Sequence, residues 1–176
     1  MALTPEHRIP LNKQDEIVAY FTRLRMRVAD LRKILPNDDS TEKLLPANDH
    51  QAWKRLICAD DDDNESGEQN SQNPHPPHLT IILRYDQVDH HKFLRNLHDW
   101  MDEDGYSETI GLWIFSILAC IEKPIHSDVY ATFRDITRTL STIRKEEELD
   151  ECSLKSINTI ICIIGRYFDQ KDMVDE

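Results

Sequence analysis

Apolar positions recur at helical spacing over most of the chain. Between residues 13 and 35 they fall at Ile17, Phe21, Leu24, Val28, Leu31 and Leu35, at intervals of 4, 3, 4, 3 and 4. That spacing lays one seam along a helix, which Pro36 stops. Leu79, Ile82 and Leu83 predict a short helix over 79–85. Asp86 is placed to cap a helix over 87–102, with Val88, His91, Leu94, Leu97, His98 and Met101 inward and Gly105 ending it. Ser107 is a cap for a helix over 108–122, closed by Pro124. Val129, Phe133, Ile136, Leu140 and Ile143 stripe a helix over 128–145, opened by His126 or Ser127. Leu154, Ile157, Ile160, Ile161, Ile164 and Phe168 stripe a last one over 152–169. No segment alternates with period two for long enough to be a strand. The expected fold is all-α, a single bundle of about six helices.

The stretch 108–122 differs from the others. Ile110, Leu112, Trp113, Ile114, Phe115, Ile117, Leu118, Ala119, Cys120 and Ile121 cover every direction around its axis, so it must be surrounded. Ile160 to Ile164 repeats the pattern in shorter form. Either this is the central helix of its own bundle, or the bundle covers one side and a helix from another protein covers the other. Gly111, Ser116 and Ala119 are small residues where a second helix axis can approach closely, inside the bundle or outside it. Trp100 and Trp113 are the candidate anchors, because buried aromatics dominate interface energy.

Three regions follow: an amphipathic helix within 1–36, a mostly disordered acidic linker over 37–78 with a short apolar island at Trp53–Cys58, and a helical core over 79–176. The linker holds Asp60-Asp61-Asp62-Asp63 and then polar, Gly and Pro residues, a composition that buries too little apolar surface to offset chain entropy. It lacks the spacing of a calcium loop.

Charge and candidate chemistry narrow the function. The 176 residues carry a net charge of −12, which argues against broad contact with nucleic-acid backbone and favours a basic protein partner. Arg23, Arg25, Arg27, Arg32 and Lys33 nevertheless make the outer face of the first helix basic, most simply as a solvated face. The four glycines stand too far apart for a phosphate loop or a dinucleotide turn. Cys58, Cys120, Cys152 and Cys162 form no C-x-x-C pair and are expected to be free thiols, as in the cytosol or nucleus. Neither G-x-S-x-G nor H-E-x-x-H occurs. Asp86/His90 and His98/Asp102 are helical i,i+4 pairs, more simply salt links than zinc ligands. The longest near-apolar run, Ile110–Ile121, has 12 residues, short of the ~20 that span a bilayer. No enzyme, metal, cofactor or membrane passage is expected.

Two long motifs carry a resemblance: I-L-A-C-I-E-K-P over Ile117–Pro124 and R-Y-F-D-Q-K-D-M-V-D-E over Arg166–Glu176. Leu97–Trp100 is similar to an L-x-N-W motif, Gly111–Trp113 to G-R-W, and Trp53-Lys54-Arg55 to a W-K-K island. With these, the chain resembles the gemin-two family, the survival-motor-neuron-interacting proteins of spliceosomal RNP assembly, closely over 79–176 and more loosely in the first helix. The resemblance implies a non-enzymatic assembly factor, cytoplasmic and nuclear, whose helical domain holds the N-terminal helix of the survival motor neuron protein. It implies contact with Sm proteins of the pentameric intermediate, and through them with small nuclear RNA.

The family also has an N-terminal arm that reaches the RNA-binding pore of the Sm ring. This chain begins after the matching point, which predicts a shortened form without that gating role. Leu112 stands where the family often has arginine, an apolar contact in place of a polar anchor. The expected partner-helix residues are Trp100, Gly111, Leu112, Trp113, Ser116 and Ala119. Arg23 and Arg27, or the acidic surface, are the expected Sm contacts. A generic helical scaffold, and an RNA-binding module using the basic helix with weak, salt-steep affinity, stay open at this point.

Overall fold

The computed structural model describes residues 9–34, 45–58, 75–146 and 148–170. Among them the chain forms seven α-helices and no strand. These are α1 (Leu11–Ile34), α2 (His50–Cys58), α3 (Leu79–Ile82), α4 (Gln87–Asp104), α5 (Glu108–Cys120), α6 (Ser127–Glu146) and α7 (Glu151–Cys162), followed by a π-helical turn over Ile163–Tyr167. No helix among the described residues is long and apolar enough to cross a membrane.

Local sequence sets the helix ends. The Asp86 carboxylate accepts from the Asp89 N–H at 2.8 Å and starts α4. Gly105, at φ +89°, stops it in a backbone region that side-chain-bearing residues rarely adopt. Ser107 Oγ accepts from the Ile110 N–H at 3.2 Å and opens α5. Asp150 opens α7, accepting from the Cys152 and Ser153 N–H groups at 2.8 and 3.0 Å, and these bonds hold its carboxyl below the ordinary range. Ser107→Ala is expected to cost about 1 kcal/mol of stability, read as a lower urea midpoint at unchanged slope.

α5 is the hub of the packing, in contact with α1, α2, α3, α4 and α7. Two aromatic clusters flank it. Trp53, Tyr85, Phe93 and Trp113 meet edge to face at 4.8–5.8 Å on one side. Phe21 packs against Phe115, Tyr167 and Phe168 at 5.0–6.2 Å on the other. α6 lies on α4 and α7, and Val129, Phe133, Ile136, Leu140 and Ile143 are all buried as their spacing required. Two bonds one heptad apart tie α4 to α6: His91 Nε2 to Thr132 Oγ1 at 3.0 Å, and His98 Nε2 to Thr139 Oγ1 at 3.2 Å. The Thr132 hydroxyl donates to the Asp128 carbonyl, so it accepts from His91.

Several expectations are corrected. Trp53 is no isolated island in a linker: it is 1% exposed on α2, with its indole N–H donated to the Pro46 carbonyl at 3.0 Å. Of the 37–78 stretch expected to be mostly disordered, 45–58 and 75–78 are placed, the His75 N–H bonded to the Leu56 carbonyl, and 37–44 and 59–74 lie outside the described residues. Val88 is 63% exposed, because the α4–α6 contact runs through His91 and His98 instead. The short helix over 79–85 ends at Ile82, and the last one passes into the π turn after Cys162. On the basic face of α1, Arg25 and Arg32 fold inward. Arg25 donates to the Leu118 carbonyl at 2.9 Å, Arg32 lies on the Cys120 carbonyl, and both therefore satisfy the electron-rich C-terminal end of α5.

The i,i+4 salt links are not made. His98 lies against Asp99 and Thr139. His90, fully buried, has Nε2 on the Ile82 carbonyl at 2.9 Å and Nδ1 facing the Gln87 amide at 3.4 Å. A carbonyl only accepts, so Nε2 carries the proton and the ring is satisfied as a neutral group. Burial pushes its pKa below the ordinary value. The unfolded chain therefore takes up this proton first, and stability is lost as pH falls through about 6.5, with a slope of at most about 1.4 kcal/mol per pH unit from this one ring. Urea titrations at pH 7.5 and 5.5 read the effect, and His90→Gln flattens it.

Candidate functional site: the open face of helix α5

Eight residues of α5 are buried, among them Ile110, Trp113, Ile114, Ile117 and Leu118. The helix is thus nearly wrapped by its own chain. At 100° per residue, its open side is a sector of about 120° centred on Leu112. Leu112 is 52% exposed, Glu108 is exposed, and Thr109, Phe115 and Ser116 are half-buried. α7 closes one edge at Gly111 and α2 the other at Trp113.

The structure separates the expected contact residues into two sets. Leu112 and Ser116 lie in the open sector. Trp113 is 2% exposed, its indole N–H given to the His75 carbonyl at 2.9 Å and its ring edge set on Trp53. It is a core residue and offers no anchor to an outside helix. Trp100 and Ala119 are buried as well. At Gly111 a Cβ would collide with the Tyr106 hydroxyl and lie 2.8 Å from Ser156 Oγ, so the close approach made there is to α7 of the same chain. The Tyr106 hydroxyl donates to Ser156 at 2.6 Å and locks that approach.

Arg23 and Arg27 are exposed on α1. They share one stripe with the exposed Tyr20, Leu31 and Ile34 at helical spacing, a mixed apolar and basic surface; Leu31, expected in the apolar seam, lies at its edge and is 44% exposed. Spacing could not foresee which arginines of α1 turn inward, since Arg25 and Arg32 are placed by tertiary contact. Arg25 lies over the Tyr167 ring, 5.2 Å from its centroid. A second concavity of about 470 Å³ lies between the starts of α4 and α6, lined by Val88, His91, Ile121, Ile125 and Val129 among others.

Burial pushes the Cys120 and Cys162 thiols up to about 11, which keeps them protonated and unreactive at neutral pH. All four cysteines are thiols outside any disulfide. What the open sector offers is one half-exposed leucine, Leu112, with Phe115 half-buried beside it and Glu108, Thr109 and Ser116 as polar neighbours.

Comparison with known proteins identifies the family. The profile of the family described as "Survival motor neuron (SMN) interacting protein 1 (SIP1)" matches residues 2–171. This chain belongs to that family. A mouse relative, "Gem-associated protein 2", is 30% identical over 186 residues, covering 98% of this chain and 69% of the relative. The Xenopus laevis protein of the same name is 27% identical, covering 94% and 69%. Among solved structures, a chain of "The 8S snRNP Assembly Intermediate" is similar with a TM-score of 0.73 at 26% identity, covering 98% of this chain and 80% of that one. Family membership thus covers α1 and α2 as well as the later helices that carry the motifs.

Proposed function

We propose that this chain is a non-catalytic assembly factor for spliceosomal small nuclear ribonucleoproteins. It binds the N-terminal helix of the survival motor neuron protein on the open face of α5, and Sm proteins elsewhere on its surface. The observation that carries this reading is Leu112, half-exposed in the middle of the chain's most apolar helix. An apolar side chain in that position gains from being covered, and an amphipathic helix laid in the sector covers it. Membership of a family of survival-motor-neuron-interacting proteins supports the same role, as does the likeness to a chain of an snRNP assembly intermediate. The stripe Tyr20, Arg23, Arg27, Leu31 and Ile34 on α1 is the proposed Sm-facing surface, because it combines apolar area with exposed cations. The work belongs to the cytoplasm and nucleus, where thiols stay reduced.

An RNA-binding module is disfavoured by one specific feature. Of the six cations on α1, Arg25 and Arg32 are committed to the end of α5 and Lys33 pairs with Asp30 at 3.1 Å. That leaves little basic surface for phosphate in a chain of net charge −12. Co-expression of the chain with the N-terminal segment of the survival motor neuron protein tests the proposal. A stoichiometric complex is expected on gel filtration, and separate elution contradicts it. In a filter-binding titration near physiological salt, the chain alone is expected to retain no RNA.

A further inference from the structure

We propose that the concavity between the starts of α4 and α6 is a second binding site, and that it takes a basic peptide segment in which one aliphatic side chain is flanked by lysine or arginine. The site is independent of the docking reading above, because none of its lining residues lies in the open sector of α5. At about 470 Å³ it falls inside the range of roughly 300–1,000 Å³ usual for concave, mostly apolar sites. Its apolar walls are Val88, Ile121, Pro124, Ile125 and Val129. Val88 is 63% exposed while Ile121 and Val129 are buried, so the hollow is open to water and continuous with the core. An aliphatic side chain entering it leaves water and covers Val88 in the same step.

The wall is formed in advance. The Gln87 amide donates to the Cys120 carbonyl at 3.0 Å and accepts from the Glu122 N–H at 2.8 Å. Arg32 pairs with Glu122, and Lys123 Nζ donates to the Tyr167 carbonyl at 3.3 Å. The segment 120–124, which ends the I-L-A-C-I-E-K-P motif, is thereby tied to α4, α1 and the π turn, and an incoming group meets little ordering cost.

Charge decides what enters. Lys123 holds its ammonium against the π turn, 4.7 Å from the Tyr167 ring centroid. Glu122 is met by Arg32, and Asp89 by Lys92 at 2.9 Å. His91 gives its Nε2–H to Thr132 and, with its pKa lowered by burial, adds no cation at neutral pH. Two carboxylates are left beside the hollow: Asp128, 3.5 Å from the lining ring of His126, and Asp86, next in sequence to the lining Gln87. Among the described residues neither forms an ion pair with a lysine or arginine. An apolar hollow bordered by unmatched carboxylates, on a chain of net charge −12, admits an apolar group with cations beside it and repels one with anions.

The test uses methyl NMR of the full chain with three capped five-residue peptides as probes: leucine between two lysines, leucine between two glutamates, and alanine between two lysines. The leucine–lysine probe is expected to shift the methyl signals of Val88, Ile125 and Val129 with a Kd on the order of 1 mM. The other two probes are expected to bind at least about tenfold more weakly. Val88→Lys, at an exposed helical position that lysine suits, is expected to weaken the leucine–lysine probe by about tenfold or more. Asp128→Asn is expected to weaken it about threefold at low salt and to have no effect near 1 M salt, where screening acts within ~3 Å. Leu112→Glu is expected to leave the response unchanged. No shift at these methyls, equal binding of the three probes, or an unaltered response in Val88→Lys overturns the proposal. Loss of the shifts in Leu112→Glu assigns the probe to α5 and overturns it as well.

Discussion

Leu112→Glu is expected to abolish binding of the survival motor neuron N-terminal helix while leaving the domain folded. Fully burying a leucine is worth roughly 1.5–3 kcal/mol, and at 52% exposure about half of that is still to be gained when a partner covers it. Glutamate forfeits this gain and adds a carboxylate that the partner must strip of water, a penalty of several kcal/mol when no cation meets it. The sum exceeds the ~2.7 kcal/mol of a hundredfold loss. The same substitution leaves folding almost untouched. Glutamate is a good helix former, the position faces solvent, and exposed substitutions of this kind stay within about 0.5 kcal/mol. Circular dichroism and the urea midpoint are therefore expected to match those of the unaltered chain, while calorimetric heat with the peptide disappears. Unchanged affinity removes Leu112 from the contact.

Trp113→Ala is expected to have the opposite profile: lost stability first, lost binding only as a consequence. Trp113 is 2% exposed, stacks edge to face on Trp53 with centroids 5.8 Å apart, and ties His75 to the bundle through its indole N–H. Truncating a buried tryptophan to alanine costs about 3–5 kcal/mol, a large part of the roughly 5–15 kcal/mol that holds an ordinary domain together. It also strands the His75 carbonyl. Trp113→Phe keeps most of the ring and forfeits the hydrogen bond, at a smaller cost of roughly 1–2 kcal/mol. Urea denaturation monitored by circular dichroism separates the two variants. A stable Trp113→Ala chain that has lost peptide binding would show that the indole serves an outside partner after all.

Much of this molecule is legible in its sequence because helices announce themselves twice, once by spacing and once by their ends. Asp86, Ser107, Gly105 and the stripe from Val129 to Ile143 act as their residue types and positions require. What spacing conceals is how one face is divided among neighbours. Every flank of α5 is apolar, so the pattern says that it is surrounded without saying by what. In the fold, α2 fills one flank through Trp53, a residue whose polar sequence neighbours disguise it as linker. The residues Trp100, Gly111, Trp113 and Ala119 accordingly belong to the chain's own core. Of the six expected contact residues, Leu112 is exposed and Ser116 half-buried. Val88 misleads for a related reason: helical period allowed it inward, but histidine–threonine bonds set the rotation of α4 against α6. The inward turn of Arg25 and Arg32 depends on carbonyls some ninety residues away in the sequence, which no local pattern encodes.

The most direct measurement is amide hydrogen exchange on the full chain, with and without the partner peptide. Peptide-dependent slowing of exchange, confined to α5 around 108–116 and to the flanking segments of α1, α2 and α7, is the predicted outcome. Protection at the stripe of α1 or at the concavity between α4 and α6, with α5 unchanged, would contradict it.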